Sequence, residues 1–194
     1  MLRYYLFHKP YEVMSQFSEA GEKKTLAHFC TGLPKDVYPI GRLDYDSEGL
    51  LILSNDKSLT HRLLDPRYRH PRTYWSQVEG SITQDALAQL QSGILIRIDG
   101  KAHHTIPAKA KRLEPAPVVA LRQPPIRVRQ HIPTSWLALT LTEGKNRQVR
   151  RMTAAVGFPT LRLIRYSIGS VTIDGLEAGE CREADAHIVQ RLLR

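Results

Sequence analysis

Apolar residues in this chain gather in short blocks, and each block predicts one element. Tyr4 to Phe7 is an aromatic and apolar run ended by Pro10, which predicts a strand. Gly49 to Ser54 carries Leu50, Leu51, Ile52 and Leu53 without a polar break, the pattern of a fully buried strand. Leu59, Leu63 and Leu64 then mark one helical face that Asp65-Pro66 ends. Lys24 to Cys30 predicts a short helix with Leu26 and Phe29 on one side. Thr73 to Val78 reads as a strand, and Thr83 as the N-cap of a helix over Asp85 to Gln91 that Gly93 closes. Trp136 to Thr142 alternates like a strand. Val149, Met152 and Val156 share a helical face stopped by Gly157 and Pro159. Further strands are expected at Leu161 to Ile164 and Ser170 to Ile173, and a terminal helix over Ile188, Val189, Leu192 and Leu193. Strand pairs mix with helices and show no βαβ rhythm, so the fold class is α+β with a mainly antiparallel sheet.

One stretch departs from this pattern. Lys101 to Pro133 sets Pro107, Pro115, Pro117, Pro124, Pro125 and Pro133 beside Lys109, Lys111, Arg112, Arg122, Arg127 and Arg129. Short edge strands and an extended basic arm are expected there. The whole chain is basic, with 28 Lys+Arg against 19 Asp+Glu, a net charge of +9 and a pI near 9.8. That balance favours an acidic partner, nucleic acid before anionic membrane. At 194 residues the chain fits one domain or two intimate lobes. No apolar run approaches the ~20 residues of a membrane helix. The N-terminal MLRYYLFHKP is broken by Arg3, His8 and Lys9 before a signal-type core can develop. Cys30 and Cys181 stand far apart without metal-ligand spacing, as reduced thiols of a cytoplasmic protein would.

Chemistry concentrates in GRLDYDSEGLL, where Asp44 lies between Arg42 and the acidic pair Asp46 and Glu48, just ahead of the buried strand. A rigid strand behind a turn can present a carboxylate to a substrate. A turn aspartate that caps its own backbone fits the local sequence equally well. A metal-dependent phosphodiesterase built on Asp44, Asp46, Glu48 and Asp56 would need further converging ligands. His61, His70, His103 and His104 are not spaced to supply them, and no metal is expected. A non-catalytic ribosome-assembly factor would show the same basic surface.

GRLDYDSEGLL, RTYWSQVEG and LTEGKNRQVRRM, in that order, closely resemble the motifs of RNA pseudouridine synthases, in the branch typified by the ribosomal small-subunit synthase A. YYLFHKPYEVMS resembles the opening strand of the catalytic domain, so the likeness spans nearly the whole chain, and no S4-like module is expected ahead of it. The resemblance implies a single catalytic domain in two lobes, approximately 1–66 and 67–194, with a cleft between them. It implies isomerisation of one uridine in ribosomal RNA, taken to be the 23S RNA of the large subunit, by a cytoplasmic monomer without cofactor. Asp44 would be the essential carboxylate, attacking C1′ or C6 or taking the C2′ proton. Tyr74 would stack on the target uracil, with Trp75 in the core, and Arg150 would be the cation paired with Asp44. Arg42 would fill the space of the extruded base or hold its flanking phosphate. Lys145, Arg147, Arg151, Arg162 and Arg165 complete the expected phosphate-binding set, and the 101–133 arm is expected to aid substrate choice.

Overall fold

A computed structural model describes residues 1–127 and 129–193. Val128, within the basic arm, and Arg194 lie outside the described residues. In chain order the elements are β1 (Tyr4–Lys9), β2 (Val13–Met14), β3 (Lys24–Thr25), β4 (Tyr38–Pro39), β5 (Glu48–Ser54), α1 (Lys57–Leu64), β6 (Arg72–Glu79), α2 (Gln84–Ser92), β7 (Leu95–Ile98), β8 (Lys101–His104), β9 (Lys109–Arg112), β10 (Thr134–Leu141), α3 (Gln148–Ala155), β11 (Thr160–Ile168), β12 (Val171–Thr172), β13 (Cys181–Ala184) and α4 (His187–Leu192). The chain divides into two compact units, one of Met1–His70 with Arg165–Arg194 and one of Pro71–Ile164. The expected second lobe runs on to the C-terminus; the structure returns the last stretch to the first unit, because β13 pairs with β1.

In the first unit β1 lies between β5 and β13 and is antiparallel to both, while β4 pairs with the end of β5. All seven residues of β5 are buried, as the unbroken apolar run requires. Tyr5, Phe7, Leu26, Val37, Leu51 and Leu53 form the core on one side of these strands. Asp56 caps α1 by accepting a hydrogen bond from Leu59 N–H, and Leu59 and Leu63 face inward. Leu64, expected on that same face, is exposed. The helix predicted over Lys24 to Cys30 is instead β3, paired in parallel with β2, followed by a single 3-10 turn at Leu26–His28. The run is too short to offset the cost of helix nucleation once Lys24 and Thr25 join a strand ladder.

In the second unit β10 lies between β6 and β9, all antiparallel. Val78, Leu87, Leu90, Leu137, Leu139, Val149 and Met152 belong to one buried cluster. Thr83 caps α2 through Ala86 N–H and Gly93 ends it in a positive-φ conformation, as expected from the sequence. β7 and β8 form a separate hairpin whose first strand has no clear signal in the sequence, since it is only four residues long. The basic arm holds β8 and β9, and among its described residues no further helix or strand precedes β10. Of its cations, Arg112 pairs with Glu114 at 2.6 Å, Arg129 with Glu79 at 3.0 Å, and Arg122 donates to Pro124 O and Pro125 O. Lys109 and Lys111 are exposed on either side of buried Ala110. Lysines on such a strand also discourage pairing with other chains.

Candidate active site

Asp44 sits in a turn held from three sides within the first unit. Its own carbonyl accepts a hydrogen bond from Ser47 N–H at 3.0 Å, which closes a four-residue turn over Tyr45 and Asp46. Ser15 grips the preceding residue twice: its hydroxyl donates to Leu43 O at 2.8 Å and accepts from Leu43 N–H at 3.1 Å. Tyr45 O accepts from Glu12 N–H at 2.9 Å. Behind the turn, Gly49 (φ 108°) lies so close to Arg165 that a Cβ would meet Arg165 O at 2.3 Å. Only glycine lets β5 start there. Arg42 is exposed and Leu43 buried, while Asp44 is half-buried. Arg42 is not on a strand, since β4 ends earlier, at Pro39.

Lys9 is the residue that reading the sequence missed. It is fully buried at 0 % exposure, and its ammonium donates to Val13 O at 2.7 Å and Pro10 O at 3.0 Å. Burial pushes its pKa down to about 7, against the opposing pull of Glu48, Asp46 and Asp44. Lys9 therefore lies within electrostatic reach of the three carboxylates of the acidic turn and faces them as a cation below about pH 7. Strand alternation contains the signal: Tyr5, Phe7 and Lys9 share one face of β1, and a lysine in register with two buried aromatics needs carboxylate company.

This burial has a measurable consequence. Unfolded Lys9 keeps its proton up to its ordinary pKa of 10.5, whereas the folded form loses it near 7. Between those values the unfolded chain binds more protons, so folding stability gains as pH rises. Lys9→Met lacks this gain. Urea unfolding at about pH 7 and pH 9.5 should show wild type improving relative to Lys9→Met across the interval. A constant difference between the two proteins would exclude a buried, titrating ammonium.

In the second unit Tyr74 and Arg150 are tied to one framework. Tyr74 shares its face of β6 with buried Ser76 and Val78, and its ring packs against the core cluster. Trp75, expected in that core, points to the opposite face and is half-buried. Ser76 Oγ meets Thr160 Oγ1 at 2.9 Å, and Thr160 Oγ1 meets Thr153 Oγ1 at 2.8 Å. Arg150 Nη1 makes a long contact of 3.5 Å to Thr160 O. One chain of hydroxyls thus joins the strand of Tyr74 to the helix of Arg150.

The entry to α3 is held by a carboxylate. Glu143 accepts from Gln148 Nε2 at 2.6 Å and from Ile106 N–H at 2.9 Å, and lies 3.2 Å from His103 Nε2. Gln148 Oε1 in turn accepts from Lys145 N–H at 2.9 Å. Arg147 begins the helix in the left-handed region at φ 50° and is exposed, as is Lys145. Arg151 commits its guanidinium to Arg97 O, Asn146 O and Asn146 Oδ1.

Two cations expected to meet phosphate do not reach the surface. Arg162 is 7 % and Arg165 4 % exposed, and Arg165 Nε donates to Leu50 O at 2.8 Å. Both lie on β11, whose pattern buries six of nine residues. Their place is inside the fold, which leaves Arg42, Lys145 and Arg147 as the exposed members of the expected set. Among the described residues no group of three or more His, Cys, Asp or Glu side chains is arranged to hold a metal ion. Nor, among them, is any helix long and apolar enough to cross a membrane.

A family model described as RNA pseudouridylate synthase matches residues 3–155, which include Asp44, Tyr74 and Arg150. The chain belongs to that family. It is an isomerase that converts uridine in RNA to pseudouridine. Among curated relatives, ribosomal large subunit pseudouridine synthase E of Xanthomonas axonopodis pv. citri is 54% identical over 173 residues, covering 88% of this chain and 88% of the relative. The synthase of the same name from Vibrio parahaemolyticus is 49% identical over 179 residues, 92% of this chain and 72% of the relative. Ribosomal large subunit pseudouridine synthase B of Bacillus subtilis is 37% identical over 97% of this chain and 70% of its own length. A crystal structure of a pseudouridylate synthase superposes with a TM-score of 0.81 at 27% identity, over 99% of this chain and 74% of the other. The pseudouridine synthase fold, α+β with a mostly antiparallel sheet, is therefore the fold of this protein.

Proposed function

We propose that this enzyme converts one specific uridine of large-subunit ribosomal RNA to pseudouridine, with Asp44 as its essential carboxylate. The observation that carries the assignment of Asp44 is its turn, clamped by Ser15, closed by Ser47 and underlain by the buried Lys9. Such effort to fix one half-buried aspartate is the preorganisation that nucleophilic or general-base work requires. The rRNA target rests on relatives that are 49–54% identical and named for the large subunit.

Isomerisation breaks the N1–C1′ bond, turns the uracil and joins it again through C5, with loss of the C5 hydrogen. Asp44 serves by adding to C1′ or C6, or by taking the C2′ proton. Tyr74 presents an aromatic ring to the extruded base, and Arg150 supplies a positive charge to the reaction. The same reading takes the enzyme to be a cytoplasmic monomer. The test is tritium release from RNA labelled at uracil C5. Release from large-subunit RNA, none from small-subunit RNA and no effect of EDTA are expected. Inhibition by EDTA would favour a metal-dependent phosphodiesterase, and absence of release an assembly factor.

RNA binding should depend on salt less steeply than the total charge suggests. With Arg42, Lys145 and Arg147 as the exposed contacts, a log–log slope of roughly −2 follows from about −0.7 per neutralised phosphate on a single strand. Arg42→Ser or Lys145→Ser should each flatten it by about 0.7. A slope unchanged by both substitutions would move the RNA path elsewhere, with Lys109 and Lys111 of the basic arm the next surface to test.

A further inference from the structure

Cys30 and Cys181 stand 151 positions apart in the chain, yet they meet at the edge of the first unit. Cys30 follows the 3-10 turn and is 4 % exposed, packed with Phe7, Leu26 and Val37. Cys181 opens β13 opposite Phe7 and is half-buried against the same cluster. Cys181 packs against the cluster that holds Cys30, and this neighbourhood lowers the pKa of the Cys181 thiol and raises that of Cys30. A cavity of about 520 Å³ lies beside Cys30, lined also by Phe17, Ala27, Leu33 and Val37. Nothing in uridine isomerisation calls on this pair.

We propose that Cys30 and Cys181 are a dithiol–disulfide site, oxidised by small aliphatic disulfides of the glutathione class. The half-exposed Cys181 thiolate attacks one sulfur of the small disulfide, whose S–S bond breaks and releases one thiolate. A mixed disulfide is left on Cys181. Cys30 then gives its proton to water and attacks Cys181 Sγ, forming the Cys30–Cys181 bond and expelling the second small thiolate. Two protein thiols are oxidised, one small disulfide is reduced to two thiols, and no other reactant is needed. The new bond would fasten the segment leading to β4 onto edge strand β13, closing a loop of most of the chain.

Intact-mass measurement of the folded protein after exposure to oxidised glutathione tests this. The expected product has lost two hydrogen atoms and carries no glutathione. Peptide mapping should find Cys30 joined to Cys181, dithiothreitol should restore the thiols, and the oxidised form should melt at a higher temperature. Cys30→Ser should stop at a stable glutathione adduct on Cys181, and Cys181→Ser should react roughly tenfold or more slowly, because its remaining thiol is buried. A wild-type protein that accumulates the adduct on Cys181, or that reacts only after unfolding, overturns the proposal without need of either variant.

Discussion

Asp44→Asn is expected to bind RNA as wild type does and to lose turnover by roughly 10⁴-fold or more, the scale on which removal of an essential nucleophile or base is felt. The amide has the shape of the carboxylate, so the Ser15 clamp on Leu43 and the Ser47 hydrogen bond to the Asp44 carbonyl are untouched, both being made to backbone atoms of the turn. What changes is the charge above Lys9 and the power to attack or to take a proton. Single-turnover rates on saturating RNA separate chemistry from binding. Residual multiple turnover in a variant preparation shown by mass to be free of deamidated protein would remove Asp44 from its role. A parallel loss of RNA affinity would make it a binding residue instead.

Arg150→Ala is expected to lower turnover on the order of 10²- to 10³-fold, the scale on which loss of one group that stabilises transition-state charge is felt. Arg147→Ala should instead weaken RNA binding and leave the saturated rate nearly unchanged. The two arginines are three residues apart and the structure treats them differently. Arg150 is half-buried and reaches the Thr160 carbonyl, whereas Arg147 is exposed at the start of α3. Arg150→Lys should recover part of the rate, since charge returns without the planar fork. If Arg147→Ala slows the chemistry and Arg150→Ala only weakens binding, the assignment within this helix is reversed.

Much of the fold was legible in the sequence because it is written locally. Thr83, Gly93 and the Gly157-Pro159 stop act on residues within a turn of themselves, and the run from Leu50 to Leu53 needs burial whatever surrounds it. The motif around Asp44 could likewise be read, since a glycine-flanked acidic turn before a buried strand is a contiguous pattern. Trp75 shows where this stopped: alternation put Tyr74 and Trp75 on opposite faces, but only packing against Val78 and Leu139 decided that the tyrosine side faces the core.

Other properties depend on partners far away in the chain. Arg162 and Arg165 look like phosphate ligands in a basic sequence, and they are buried because β11 lies inside the fold. The return of the C-terminus to the first unit follows from β13 pairing with β1, for which its four residues carry no strong local signal. Lys9 looks like a break in an apolar run; three carboxylates from a turn more than thirty residues later make it a buried counter-charge. Cys30 and Cys181 look like isolated thiols until the sheet edge brings them together. The sequence by itself determined most of the longer strands and helices, though not β7 or β13 and not the Lys24 to Cys30 run, and it set Asp44 in a turn ahead of a buried strand. The tertiary structure decided which charges and thiols lost their water, because desolvation is set by neighbours in space and not by neighbours in the chain.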